Sequence, residues 1–186
     1  MVLWRKSSLA CSRGDNSMKM KHAVRPKRPT SRSKVNVGIY QRRAVASSVF
    51  VSKKPSDLRL VARAILEHST AQLLLLRGPL GSGKTTLTRE LLRCLGYTGR
   101  VTSPTFVLRH DFTVTGKPWK HVVHIDAYRI TSSAQEVALD ISSALSTPGC
   151  LVIIEWPERL ESLPSAPTTS VQFRHISVGR NIRIAY

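Results

Sequence analysis

The chain has 186 residues, with 29 Lys and Arg against 11 Asp and Glu and a formal net charge of +18. That length suits one ordinary domain with a tail, not two enzyme domains, and 41 % hydrophobic residues is too many for a wholly disordered chain. The longest apolar runs, 73–76 and 151–154, fall far short of the ~20 residues a spanning helix needs, and three cysteines without C-x-x-C spacing argue for reduced thiols over a zinc site or a disulfide scaffold.

Residues 1–46 carry twelve Lys and Arg and one acid, Asp15, so +11 of the charge lies there and +7 in the remaining 140 residues. This stretch is rich in Ser, contains Pro26 and Pro29 and has no apolar period. It is expected to be a disordered basic extension over 1–47, without the continuous apolar segment of a secretory signal. Its composition fits an organelle transit peptide, a start assigned too early with Met18 or Met20 as the true one, or a basic arm that touches RNA. The corresponding location is the cytoplasm, or a mitochondrion or plastid if the extension is a transit peptide.

From residue 48 onward the texture is that of a folded domain, 48–186. Residues 49–53 suit a short strand. Ser56 is a candidate N-cap for an amphipathic helix to His68, in which Leu58, Val61, Ala62, Ile65 and Leu66 recur at helical spacing. Residues 73–77 read as a buried strand and 84–95 as a helix stopped by Gly96. Strands over 107–114 and 120–127 flank a Gly116-Lys117-Pro118 turn, and a helix over 133–145 ends at Pro148-Gly149. A buried strand follows over 150–155, then a hairpin of 169–176 and 181–185 through Gly179. Strands alternating with helices, closed by a hairpin, predict one α/β domain with a mixed parallel and antiparallel sheet and helices on both faces, which the glycine-rich motif that follows makes P-loop NTPase-like.

Between the 73–77 strand and the following helix lies Gly78-Pro79-Leu80-Gly81-Ser82-Gly83-Lys84-Thr85, a full match to G-x-x-x-x-G-K-[ST]. Glycines let successive amides converge on a phosphate, and the helix N-terminus adds its positive dipole end. Lys84 has the reach for β- and γ-phosphate oxygens, Thr85 the hydroxyl for Mg²⁺, and Thr86 a place near the α-phosphate. Strand before and helix after supply the context the motif requires.

Such a site also needs carboxylates near the metal. Asp126 ends the 121–125 strand in His124-Ile125-Asp126-Ala127-Tyr128-Arg129, and Glu155 ends the 151–154 strand before Trp156-Pro157. Ligands bind at the carboxyl ends of strands in open α/β sheets, so both positions suit the chemistry. Each acid taken singly also suits a cap of the following turn. His124 reads as a packed or hydrogen-bonded core histidine and Trp156 as a packing residue. Arg129 fits either an anion contact or an ion pair with Glu136.

Taken in order, 78–86, Ser103-Pro104-Thr105-Phe106, the His124 to Arg129 segment and Glu155-Trp156-Pro157 resemble the TsaE (YjeE) family, whose pattern is a Walker A loop, S-P-T-[FY], H-x-D-x-Y-R and E-W-[PA]. These are small P-loop ATPases required for the threonylcarbamoyladenosine modification of tRNA. The resemblance implies ATP and Mg²⁺ as cofactors, with Gly78, Gly81, Ser82, Gly83, Lys84, Thr85 and Thr86 around the phosphates. It implies that Thr85 and Glu155 hold the metal and that Thr105 lies in a switch-like segment sensing the γ-phosphate. Asp126 would be essential for hydrolysis together with Lys84, and Trp156 would lie beside the nucleotide. It also implies a TsaB–TsaD-like partner complex, tRNA contact only through that complex, and no membrane. The family's frequent Glu-Thr pair near the base is replaced here by Ser56-Asp57-Leu58-Arg59, and its Gly within 137–140 is missing. Two other readings share the P-loop: a small-molecule or nucleoside kinase, for which no lid arginines cluster after Thr131, and a nucleotide-gated RNA-binding module, for which interleaved aromatics are lacking.

Overall fold

The structure, a computed structural model, describes residues 47–186; the basic extension with Cys11, Met18 and Met20 lies outside the described residues. Four strands pair in parallel at the centre of one seven-stranded sheet: β2 (Leu73–Arg77), β4 (His121–Asp126), β5 (Cys150–Glu155) and β6 (Thr168–His175). β1 (Ser47–Ser52) and β7 (Arg180–Ala185) add antiparallel strands beside β6, and β3 (Arg109–Thr113) adds one beside β4. The order is β1-β7-β6-β2-β5-β4-β3.

The apolar runs at the centre make sense because side chains alternate across a strand. Leu74, Leu76, Val122, Leu151 and Ile153 meet α1 (Leu58–His68) and α2 (Lys84–Cys94) on one face. Leu73, Leu75, Val123, Ile125, Val152 and Ile154 meet Leu139, which closes α3 (Ser133–Ala138), and Ile141 and Ala144 of α4 (Ile141–Ser146) on the other. Each such fully buried side chain contributes about 1.5–3 kcal/mol of transfer free energy. β1, β6 and β7 alternate instead between apolar and polar residues. Phe50, Val171, Phe173, Ile182 and Ile184 join the α1–α2 core, and the opposite side chains of these strands, polar apart from Val49, Val51 and Ala185, are unburied. Helices thus cover both faces of the parallel centre and one face of the antiparallel wing.

Three expected elements differ in detail. The helix expected over 133–145 is two helices, because Leu139 and Ile141 are both buried, 2 % and 6 % exposed. Residues two apart cannot share a helix face, and the break at Asp140, φ 47°, turns both inward. The strand expected from 107 starts at Arg109, since Leu108 has φ 65°. Ser56 does not cap α1: Pro55–Asp57 form a 3₁₀ turn, and the Asp57 carboxylate accepts the Lys53 and Lys54 amides at 2.9 and 3.1 Å. Cys94 and Cys150 are free thiols. Among the described residues no helix is long and apolar enough to cross a membrane.

β2 ends against β6 with no room for a side chain. A Cβ on Gly78, which has φ 140°, would lie 2.7 Å from the Phe173 Cβ and 2.8 Å from its carbonyl oxygen. Gly78→Ala is therefore expected to lose about 2–4 kcal/mol of unfolding free energy through strain and overpacking. Equilibrium urea unfolding checks this, and an unchanged midpoint would mean that β6 does not press on this glycine.

Candidate functional site

Register sets the geometry. Glu155 pairs with Leu76 of β2 on one side and with Asp126 of β4 on the other, so three parallel strands finish at one level. Above them opens a cavity of about 400 Å³, within the range of small-molecule sites. Gly81, Ser82, Gly83, Lys84, Thr85, Thr86, Thr105, Asp126, Glu155 and Trp156 all line it. Of the expected site residues only Gly78 stands behind the wall, where its carbonyl holds Lys84.

The 78–83 loop joins β2 to α2, with Gly83 in the left-handed region at φ 104° as the helix N-cap. The amides of Gly83, Lys84, Thr85 and Thr86 have no acceptor among the described residues. Neither has the buried Ser82 hydroxyl. Unpaired donors at a helix N-terminus favour an anion, and a phosphate group fits this donor set. The Lys84 Nζ donates to the carbonyls of Gly78 and Pro79 at 2.8 and 3.0 Å and lies 3.8 Å from the centre of the Trp156 ring. Burial pulls this ammonium below the ordinary lysine range, against the opposing attraction of Glu155, Asp126 and Glu158.

Both acids are buried and fully engaged. The Glu155 carboxylate, 2 % exposed, accepts the Thr85 hydroxyl at 3.1 Å on one oxygen and meets His124 Nε2 at 2.8 Å on the other. An ionised carboxylate only accepts, which assigns the proton of a neutral His124 to Nε2 and leaves its buried Nδ1 without a partner. His124 is thus a hydrogen-bonded core histidine that aims Glu155. Asp126 accepts the Ser103 and Thr105 hydroxyls at 2.9 and 2.6 Å on one oxygen and the Tyr128 amide at 3.1 Å on the other. Trp156 follows β5 with φ 58°, a costly conformation for a non-glycine residue, and this bend sets its ring against Lys84 and 5.0 Å from that of Tyr128. Trp156 is therefore a wall of the cavity as well as a packing residue.

Arg129 lines the cavity and lies 4.5 Å over the Phe106 ring. Glu136 instead accepts the amides of Glu161 and Ser162 at 2.8 and 3.2 Å. Two contributors were missed in the sequence. Ser103 shares Asp126 with Thr105, and its signal was the pair of hydroxyls flanking Pro104. Arg180, which donates to the Gly81 carbonyl at 3.3 Å across 99 residues of sequence, left no local signal.

The Asp126 carboxylate is the anchor of the 103–105 segment. Asp126→Ala is expected to speed amide hydrogen exchange over 103–108 by about 30-fold, the equivalent of about 2 kcal/mol of lost hydrogen bonding, with β2 and β5 amides unchanged. Mass-resolved exchange of the two chains checks it.

The model of one protein family, described as "Threonylcarbamoyl adenosine biosynthesis protein TsaE", matches residues 52–182. A Streptomyces coelicolor protein named tRNA threonylcarbamoyladenosine biosynthesis protein TsaE is 37 % identical, over 57 % of this chain and 78 % of its own. The protein of the same name from Haemophilus influenzae is 31 % identical, over 64 % of this chain and 73 % of its own. Among solved structures, the crystal structure of Bacillus subtilis YdiB superposes with a TM-score of 0.58 at 22 % identity, covering 77 % of this chain and 88 % of that one, a likeness of fold. With its nucleotide-binding type of P-loop and the acids that face it, the chain belongs to the TsaE family.

Proposed function

We propose that this chain binds and hydrolyses ATP as the partner of a TsaB–TsaD-like complex, in the N6-threonylcarbamoylation of adenosine 37 of tRNA. One observation carries the nucleotide chemistry: a lysine-bearing loop with unpaired amides faces two buried carboxylates across one cavity. The names of the relatives support the pathway.

In this reading Lys84 exchanges the Gly78 and Pro79 carbonyls for β- and γ-phosphate oxygens, stronger acceptors that also restore its affinity for its proton. Mg²⁺, when bound, would neutralise phosphate charge, and the Thr85 hydroxyl and Glu155 carboxylate, 3.1 Å apart, are the groups that would hold it. His124 keeps Glu155 turned toward Thr85. Asp126 orients the attacking water or accepts its proton, for which it must yield one of its three present donors. Thr105 is the natural one to leave, because the γ-phosphate offers its hydroxyl another acceptor. Trp156 and Tyr128 exclude water along one side. The transfer of threonylcarbamoyl itself belongs to the partner complex, and hydrolysis here would reset that complex between turnovers.

Phosphate release by the purified chain, with and without TsaB–TsaD, tests the proposal. Release is expected to be weak alone and stimulated by the complex, with no phosphorylated acceptor; stoichiometric phosphorylation of a small molecule would make the chain a kinase instead. Lys84→Ala is expected to weaken ATP binding by about 100-fold through loss of two charge-assisted hydrogen bonds. Asp126→Ala is expected to keep ATP affinity within about 3-fold while turnover falls by about 100-fold or more. Unchanged turnover in that variant removes Asp126 from the chemistry.

A further inference from the structure

Among the described residues, no helix covers one face of the antiparallel wing of the sheet. On β1, β7 and β6 the side chains pointing away from the α1–α2 core include Val49 and Val51, Asn181 and Arg183, and Gln172 and Arg174, none of them buried. Cross-strand register makes this face regular. Val49 pairs with Arg183, Arg183 with Gln172 and Gln172 with Arg77, a row that runs across four strands. In the adjacent row Val51 pairs with Asn181 and Asn181 with Arg174.

The charge carried by the three wing strands has one sign. β1, β6 and β7 contain no Asp or Glu. Arg174 and Arg183 are exposed and make no ion pair among the described residues, while Arg77 meets Glu158 at 3.2 Å. From strand spacing, Arg183 and Arg77 stand about 10 Å apart, and Arg174 lies diagonal to Arg183 at about 7–8 Å. Three guanidiniums at such spacing, interleaved with amide side chains, match the recurrent phosphates of a nucleic-acid backbone.

We infer that this open face is a direct RNA-contacting surface that grips the phosphate backbone. The class of partner follows from what the face holds and lacks. Protein interfaces rest on central aromatic or large apolar anchors, and here the apolar residues are Val49 and Val51 at the outer strand. Sheets that read RNA bases do so by stacking them on aromatic side chains, and among the described residues none projects from this face, so the contact is to backbone and tolerant of sequence. Gln172 and Asn181 carry donors and acceptors suited to phosphate and 2′-hydroxyl groups. The inference stands apart from the nucleotide chemistry proposed above and takes from it only the choice of tRNA as probe.

The test is fluorescence anisotropy of an end-labelled tRNA transcript titrated with the full chain over a salt series. The chains are wild type, Arg174→Gln/Arg183→Gln, and a control of equal charge change, Arg63→Gln/Arg100→Gln, both on exposed residues elsewhere. The basic stretch 1–46 contributes equally to all three. Loss of two phosphate contacts is expected to make the slope of log affinity against log salt shallower by about 1.5 and to weaken low-salt binding by about 10-fold or more, with the control like wild type. No change in the face variant, or an equal change in the control, overturns the inference. So does a face variant that binds tRNA normally but loses RNA-free TsaB–TsaD, which would make the face a protein interface. ATP affinity is measured alongside; a face variant that keeps it while losing tRNA separates this surface from the nucleotide site, and a wild-type chain that fails to bind ATP counts against the proposed function alone.

Discussion

Parallel pairing of β2, β5 and β4 in one register is the constraint on which the site depends. Because Leu76, Glu155 and Asp126 occupy one level, the phosphate-type loop leaving β2 and the carboxylates ending β5 and β4 face a single cavity. A slip of one residue in either pairing would turn Glu155 or Asp126 to the opposite face of the sheet and bury it among helix side chains. Continuous apolar runs flank both faces, so such a slip leaves the apolar inventory nearly unchanged. What discriminates the registers is polar: two buried carboxylates find donors only in the observed one.

Those donors also link the two ends of the cavity. Asp126 is bound to Ser103 and Thr105, and Glu155 to Thr85 and His124. One acid is thus tied to the segment before β3 and the other to the helix that carries Lys84. A ligand that draws the Thr105 hydroxyl away removes one of the two hydroxyl donors from an oxygen of Asp126 in the same event. In the proposed chemistry, recognition of a terminal phosphate and loosening of the Asp126 carboxylate are then one exchange of hydrogen bonds, with little net change in their number. This makes the exchange low in cost and sensitive to whether the terminal phosphate is present.

The central strands were legible in the sequence because their apolar runs are short, dense and bounded by turn residues. Residues 73–77 and 150–155 lie where their patterns predict, and the motif between β2 and α2 could be recognised by spacing alone. Less legible were features set by contacts distant in sequence. The break at Asp140 depends on both Leu139 and Ile141 finding the core, and periodicity counts both as helical. Arg180 reaches Gly81 only because β7 folds back beside β6, a pairing that the hairpin pattern suggests but whose distance from the loop it does not give. The bend at Trp156 has no signal in composition, since a tryptophan in the left-handed region is explained by the stacking it permits.

The charge also changes meaning once the strands are placed. A domain with a surplus of +7 reads as uniformly basic in composition, yet six of its ten acids, Asp126, Glu136, Asp140, Glu155, Glu158 and Glu161, lie in the segments that end or follow β4 and β5. The antiparallel wing has none in its three strands. The two regions meet at Arg77, which ends β2 directly before Gly78 and is held by Glu158, two residues beyond Trp156. This exposed pair is weak, in the range of about 0–1 kcal/mol, so a phosphate arriving on the open face can compete for Arg77 at little expense. The residue that would feel that competition is covalently joined to the loop that cradles Lys84. The fold therefore sets an arginine of the open face directly before the phosphate-type loop on one strand, where a polyanion held on that face would alter the electrostatic surroundings of the loop.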